Sequence, residues 1–278
     1  MAEAYMAITA TIACRVDCDF CPQELLIKEY ELQNNLTNIS YGNPNIMDFS
    51  VFKQCIDKIP ENVQISFGGY SEIFLHPEAA KMILYAFDSG HKISIYSTLV
   101  GLKLEDIDKI KHIPFANFHI HLPDSSSYAK IAVNKNYLAI LKKLQESNIK
   151  NLTCMSMGDL HPKVKDILHI DIEAEKMISR AGNLSNVKND FEKKLGPLSC
   201  NISSHDGLED RFDANTLLPN GDVTLCCMDY GLKNIIGNLT RMDYNSLFTN
   251  DEFKKIYNKM KSYDAVSYTH LRAHETLR

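Results

Sequence analysis

Short apolar or alternating runs trade places along this chain with stretches whose apolar residues recur every three to four positions. The first pattern is that of a strand, the second that of an amphipathic helix. Strands are predicted over Tyr5–Ile12, Val63–Phe67, Lys92–Ser97, Phe115–Leu122 and Asn151–Ser156. Helical stripes fall between them. Phe52, Cys55, Ile56 and Ile59 form one; Ala79, Met82, Ile83, Ala86 and Phe87 form the next. Leu104, Ile107 and Ile110 make a third, and Leu138, Leu141 and Leu144 a fourth. Pro77 suits the first turn of the second helix. Strands and helices in alternation are the rhythm of βαβ units and a parallel sheet.

Successive side chains of a strand point to opposite faces, so the faces can be read apart. One collects Ile8, Ile12, Val63, Ile65, Phe67, Ile93, Ile95, Phe118 and Ile120. The other collects Thr9, Thr11, Gln64, Ser66, Ser94, Asn117, His119 and His121. A closed eight-stranded barrel would fill its interior with bulky branched residues, and parallel sheets are usually covered on both faces. The polar second face therefore predicts an α/β fold of partial (β/α)6-barrel type, with an open polar interior that holds a ligand.

The rhythm changes towards the C-terminus. Phe212–Leu218 and Val223–Met228 flank Pro219-Asn220-Gly221-Asp222, and Asn-Gly is a strong hairpin signal. The amphipathic stretch Tyr244–Met260 follows. The expected organisation is a core barrel over residues 1–184 and a small hairpin-and-helix module over 185–264, joined through the irregular region near Leu184–Cys200. Residues 265–278 read AVSYTHLRAHETLR, which has no apolar period and resembles translated adapter sequence. That stretch is expected to be a non-native tail and is set aside.

Composition narrows the function classes. The 278 residues are 45% hydrophobic and 23% charged, ordinary for a globular protein. A net charge of −5, with no run of Lys and Arg, predicts neither nucleic-acid nor anionic-membrane binding. No apolar stretch approaches the roughly 18 residues of a membrane span. Ala4 to Ala13 is mostly apolar, but Glu3 stands where a signal peptide needs a positive charge. A cytoplasmic location is expected, and there the eight cysteines read as metal ligands and buried hydrophobes rather than disulfides.

Cys14, Cys18 and Cys21 place three thiols in the loop directly after the first strand. Iron–sulfur clusters are normally held by four thiolates, and Val16–Asn34 offers no fourth Cys or His. Three ligands would leave one iron open, as a catalytic zinc keeps one position vacant. The loop lies at the carboxyl end of its strand, where barrel active sites are built. Elsewhere, Cys55 on a helical stripe and Cys154 within a strand read as core, and His119 and His121 as a polar wall of the interior.

The spacing CxxxCxΦC, with Phe20 in the aromatic place, resembles the cluster motif of the radical S-adenosylmethionine superfamily. The resemblance implies a 4Fe-4S cluster on Cys14, Cys18 and Cys21, with S-adenosylmethionine chelating the open iron. Reduction then yields a 5′-deoxyadenosyl radical that abstracts hydrogen from substrate. Gly68-Gly69-Tyr70-Ser71-Glu72 resembles the family's GGEP element, which receives the methionyl amino group, though Tyr70-Ser71 intervenes before the acid and Ile73 replaces proline. Ser97 and Thr98 stand where the family puts polar groups against the ribose or carboxylate. Cys200, Gly221, Cys226 and Cys227 resemble the start of a SPASM or twitch extension, which implies an auxiliary cluster in a longer protein with Cys200 and Cys226 as candidate ligands. Arg180 and Asn183 are candidates by position only. The implied partners are a flavodoxin- or ferredoxin-type electron donor and a peptide or small-molecule substrate.

Overall fold

The computed structural model describes residues 4–168, 172, 175, 177, 180, 182–184, 194–195, 214–261 and 266–267. In chain order the elements are β1 (Tyr5–Ile8), β2 (Thr11–Ile12), α1 (Gln23–Asn34), β3 (Asn45–Ile46), α2 (Phe49–Ile56) and β4 (Gln64–Phe67). There follow α3 (Ala79–Asp88), β5 (Ile93–Ser97), α4 (Leu104–Ile110), β6 (Asn117–His121), α5 (Lys135–Glu146), β7 (Leu152–Met155) and α6 (Pro162–Leu168). The remainder is β8 (Lys194–Leu195), β9 (Ala214–Leu217), β10 (Asp222–Thr224), β11 (Ile235–Asn238), α7 (Asp251–Lys261) and β12 (Val266–Ser267).

One sheet runs in the order β11-β10-β9-β1-β4-β5-β6-β7. Strands β9, β1, β4, β5, β6 and β7 are parallel. Its edges, β7 and β11, stay apart among the described residues, so the barrel is open. The predicted stripes are mostly buried, except that Leu104 at the start of α4 is 40% exposed. Phe52 of α2, for example, is fully buried, with its ring 6.1 Å from that of Phe67. The starts of α2 and α5 are set by short polar side chains, which satisfy otherwise orphaned amides. Asp48 accepts from Ser50 N at 2.7 Å, and Asn134 from Tyr137 N at 2.9 Å.

The two predicted faces are present. Met6, Ile8, Ile65, Phe67, Ile93, Ile95, Phe118 and Ile120 are buried against the helices. The opposite face aligns Ala7, Ser66, Ser94 and Asn117 across neighbouring strands, then Tyr96, His119 and Thr153.

Three expectations need correction. The predicted strand Tyr5–Ile12 breaks after Ile8: Thr9 N bonds Leu217 O, Ala10 O accepts from Met47 N, and Thr11–Ile12 pairs antiparallel with β3. Thr9, Thr11 and Ile12 thereby leave the faces to which alternation assigned them. At the other end, the strand expected over Val223–Met228 stops at Thr224. Asp229 draws Lys233 N and Asn234 N into a turn, so Cys226 and Cys227 sit on a turn and not on opposite faces of a strand. Finally, the C-terminal hairpin extends the barrel sheet rather than standing beside it, because β9 pairs with β1 along Tyr5–Ile8. Leu217, Val223, Ile236, Leu239 and Phe253 join the same apolar core as the barrel helices.

Candidate functional site

Between β2 and α1 the chain must turn sharply to bring three thiols to the sheet's carboxyl end. Ala13 (φ 75°) and Asp17 (φ 51°) adopt the left-handed conformation, which costs a residue with a Cβ roughly 1–2 kcal/mol. Leu99 (φ 65°), just past β5, does the same. Such outliers persist where the surroundings fix them, and they gather at functional sites.

Cys14 is buried, and Cys18 and Cys21 are half-buried. Burial pushes the Cys14 thiol up to about 12, and charge on Glu72 and Cys21 pushes it the same way. Burial likewise raises Cys18, with Cys21 and Cys14 adding to the effect. Burial raises Cys21 too, opposed by a hydrogen bond from Gln23 and by the Arg180 charge. An entering metal must therefore displace protons from all three. Among the described residues, no three His, Cys, Asp or Glu side chains converge on a single-ion site. A cluster asks for something else, one thiolate for each of three irons, and three soft donors suit iron–sulfur chemistry.

The structure brings the three sequence motifs together. Glu72 N–H donates to Cys14 Sγ at 3.5 Å, joining the glycine element to the cysteine loop. The Glu72 carboxylate, 4% exposed, accepts from Ser97 Oγ (2.8 Å), Thr98 N (2.5 Å), Thr98 Oγ1 (2.6 Å) and Phe74 N (3.0 Å). Burial still raises its pKa above the usual carboxylate range. Glu72 thus ties the end of β4 to the end of β5. An incoming ammonium would share it with Ser97 and Thr98.

Gly68 and Gly69 answer to packing as well. A Cβ on Gly68 would lie 2.6 Å from Tyr96 Cβ, and one on Gly69 would lie 2.3 Å from Thr9 Oγ1 and 2.9 Å from the Ile8 backbone. The same Thr9 hydroxyl oxygen accepts from Tyr70 N at 2.8 Å. Ser71 Oγ accepts from Thr11 N at 3.4 Å. The Tyr70 hydroxyl donates to Cys226 O at 2.8 Å and pairs with Thr224 Oγ1 at 3.2 Å.

Phe20 is buried and stacks on His121, ring centroids 4.8 Å apart. His121 ends β6 on the polar face. Burial, then the charges of Arg180 and His119, lower its pKa to about 4, against an opposing pull from Asp124. His119 Nδ1 meets Thr153 Oγ1 at 2.7 Å, and Thr153 gives its one proton to Asn117 Oδ1 at 2.9 Å. The proton between His119 and Thr153 is therefore the imidazole's, on Nδ1. The Nε2 atoms of both histidines are buried without a hydrogen-bond partner among the described residues, as a polar wall awaiting a ligand would leave them.

Two participants were invisible in the sequence. Gln23, 2% exposed, accepts from Cys14 N at 3.1 Å, donates to Cys21 Sγ at 3.4 Å and donates to Tyr70 O. Tyr230 packs on Tyr70, centroids 4.5 Å apart, and joins the apolar cluster against which Cys21 lies. Spacing from Cys21 could have drawn the eye to Gln23; nothing local marks Tyr230. Of the candidates by position, Arg180 Nε donates to Phe20 O at 3.3 Å, and Asn183 Nδ2 to Met228 O at 3.1 Å. Cys200 lies outside the described residues.

Residues 210–268 match the SPASM family model, an iron-sulfur cluster-binding domain. No curated protein matches the chain. Solved structures do. BtrN in complex with AdoMet and 2-DOIA superposes with a TM-score of 0.61 at 14% identity, over 95% of this chain and 89% of that one. Native anSMEcpe with bound AdoMet and Cp18Cys peptide gives 0.61 at 10%, over 93% and 83%. Streptococcus suis SuiB bound to precursor peptide SuiA gives 0.61 at 12%, over 94% and 69%. The chain has the partial-barrel fold of radical S-adenosylmethionine enzymes, with a SPASM-type C-terminal region.

Proposed function

We propose that this chain is a radical S-adenosylmethionine oxidoreductase that abstracts hydrogen from a peptide or small-molecule substrate seated in the open barrel. The observation that carries the reading is the joining of Cys14 to Glu72, and of Glu72 to Ser97 and Thr98, at the carboxyl ends of neighbouring strands. Cys14, Cys18 and Cys21 would hold a 4Fe-4S cluster. When bound, the cluster and S-adenosylmethionine supply an electron and a sulfonium whose cleavage gives the 5′-deoxyadenosyl radical.

The protein's own part is positioning and exclusion of water. Gly68 lets the β4 loop close on Tyr96, and Gly69 lets it lie against Ile8 and Thr9, which sets the backbone beside the cysteine loop. Ser97 and Thr98, oriented by Glu72, present the hydroxyl-bearing end of β5. Phe20 covers the approach from β6 by stacking on His121. On the polar face, His119 Nε2 is an acceptor facing a substrate hydroxyl or N–H. The neighbours support both substrate classes, one holding 2-DOIA and two holding peptides. A flavodoxin- or ferredoxin-type protein would deliver the electron. Cys226 is the candidate for any auxiliary cluster, with Cys200 a second ligand.

Anaerobic reconstitution, followed by 5′-deoxyadenosine measurement with S-adenosylmethionine and dithionite, tests the reading. Product is expected from the parent chain and not from Cys21→Ala. Tight zinc uptake without iron, or a parent that binds iron yet forms no product, would overturn it.

A further inference from the structure

The cysteine loop follows β1 and β2, yet it is bridged to the loop after β6, and β4 and β5 lie between β1 and β6 in the sheet. Asp19 N–H donates to Tyr128 O at 2.9 Å. Lys130 Nζ meets Asp17 Oδ2 at 3.2 Å and Asp19 Oδ1 at 3.1 Å. Asp17 and Asp19 are the two chain neighbours of Cys18. A single ammonium therefore grips the chain on either side of that thiol.

Both ends of the bridge are anchored. Asp17, left-handed at φ 51°, also accepts from the Tyr41 hydroxyl at 2.9 Å, and its N–H donates to Cys14 O at 3.3 Å. On the other loop the buried Asp124 carboxylate accepts from Tyr128 N at 3.0 Å and Ala129 N at 2.9 Å, which fixes the turn that carries Lys130. Two carboxylates beside a ligating sulfur repel the negative charge of a thiolate-held cluster, and a shared ammonium offsets both. We propose that Lys130 is a positioning residue that holds Cys18 in place through Asp17 and Asp19, so that the loop after β6 is a salt-sensitive latch on cluster retention. The inference rests on the function proposed above, which supplies the cluster. The Lys130 side chain is 47% exposed, and ion pairs within reach of solvent weaken as salt screens them.

The test is the rate of iron release from the reconstituted full chain to the uncharged chelator bipyridyl, under anaerobic conditions with dithionite. Lys130→Met keeps the length of the side chain and removes its charge. It should release iron roughly three- to tenfold faster than the parent, the range open to two exposed ion pairs. Lys130→Arg should hold its iron as the parent does. Raising the salt from about 0.05 M to about 0.5 M should speed release from the parent and leave Lys130→Met unmoved. Lys142→Met is the control, since that lysine pairs with Glu146 on α5; it should release at the parent's rate. Lys130→Met releasing at the parent's rate, Lys130→Arg releasing as fast as Lys130→Met, or a parent rate indifferent to salt overturns the inference and leaves the proposed function standing. A parent chain that takes up no iron overturns both.

Discussion

His121 is the residue at which environment and chemistry meet most plainly. Its imidazole faces the barrel interior, stacks on Phe20 and titrates near 4 instead of 6.5, chiefly because burial disfavours its charged form. The native state therefore binds fewer protons than the unfolded chain between those two values. Stability gained at neutral pH is lost as pH falls from about 6.5 towards 4. Urea unfolding across that window should show a steeper pH dependence in the parent than in His121→Phe, and an NMR titration should keep His121 neutral down to about pH 4. Equal slopes for parent and variant would remove His121 from this account. The sequence placed His121 on the polar face correctly, because alternation in β6 is unbroken. It could not say that Phe20, in a loop a hundred residues earlier, would lie on that ring.

The close approach of the loop after β4 to the end of β1 is a property of elements, and it carries its own consequence. Gly69 sits where any Cβ would meet the Ile8 backbone, which cannot swing aside as a side chain can. Gly69→Ala should cost about 1–3 kcal/mol, in the range of overpacking, and lower the thermal midpoint by several degrees. Gly68→Ala meets Tyr96 Cβ at 2.6 Å, an atom held by its own backbone, and should cost a comparable amount. A calorimetric scan in which either substitution leaves the midpoint unchanged would contradict this packing. Strands and helices of the barrel were legible because each buries one face in a regular period. The failures have physical causes. At Thr9–Ile12 a hydrogen bond from Thr9 N to Leu217 O and one from Met47 N to Ala10 O redirect the chain, and at Cys226 a side-chain turn centred on Asp229 ends the strand early. Both are decided by partners far away or by a single carboxylate, and neither leaves a trace in periodicity. The three thiols were legible for the opposite reason, since ligand spacing is local.

For the molecule as a whole, the central fact is that β1 is an interior strand, flanked by β4 on one side and β9 on the other. A chain ended before Ala214 would turn β1 into an edge, bare its backbone groups to pairing with other chains, and remove Leu217, Val223, Ile236 and Phe253 from the common core. Such a truncation should fail to unfold cooperatively and should aggregate, followed by circular dichroism and size-exclusion chromatography. A truncated chain that stays monomeric and melts in one sharp transition would show that the barrel needs no C-terminal partner.

The pairing of Tyr5 with Ala214 also puts the two extremes of the fold's timetable side by side. On a ribosome adding about 5–20 residues per second, the first strand waits on the order of ten seconds or more for its neighbour. Throughout that interval the cysteine loop lacks Tyr230 and the turn behind it. Until then Gln23 is at hand to bond Cys14 N and Cys21 Sγ, while the residues that pack behind the loop from the C-terminal side are still missing. Iron delivery during synthesis would meet an unsealed site, and arrival of the last strands would close it.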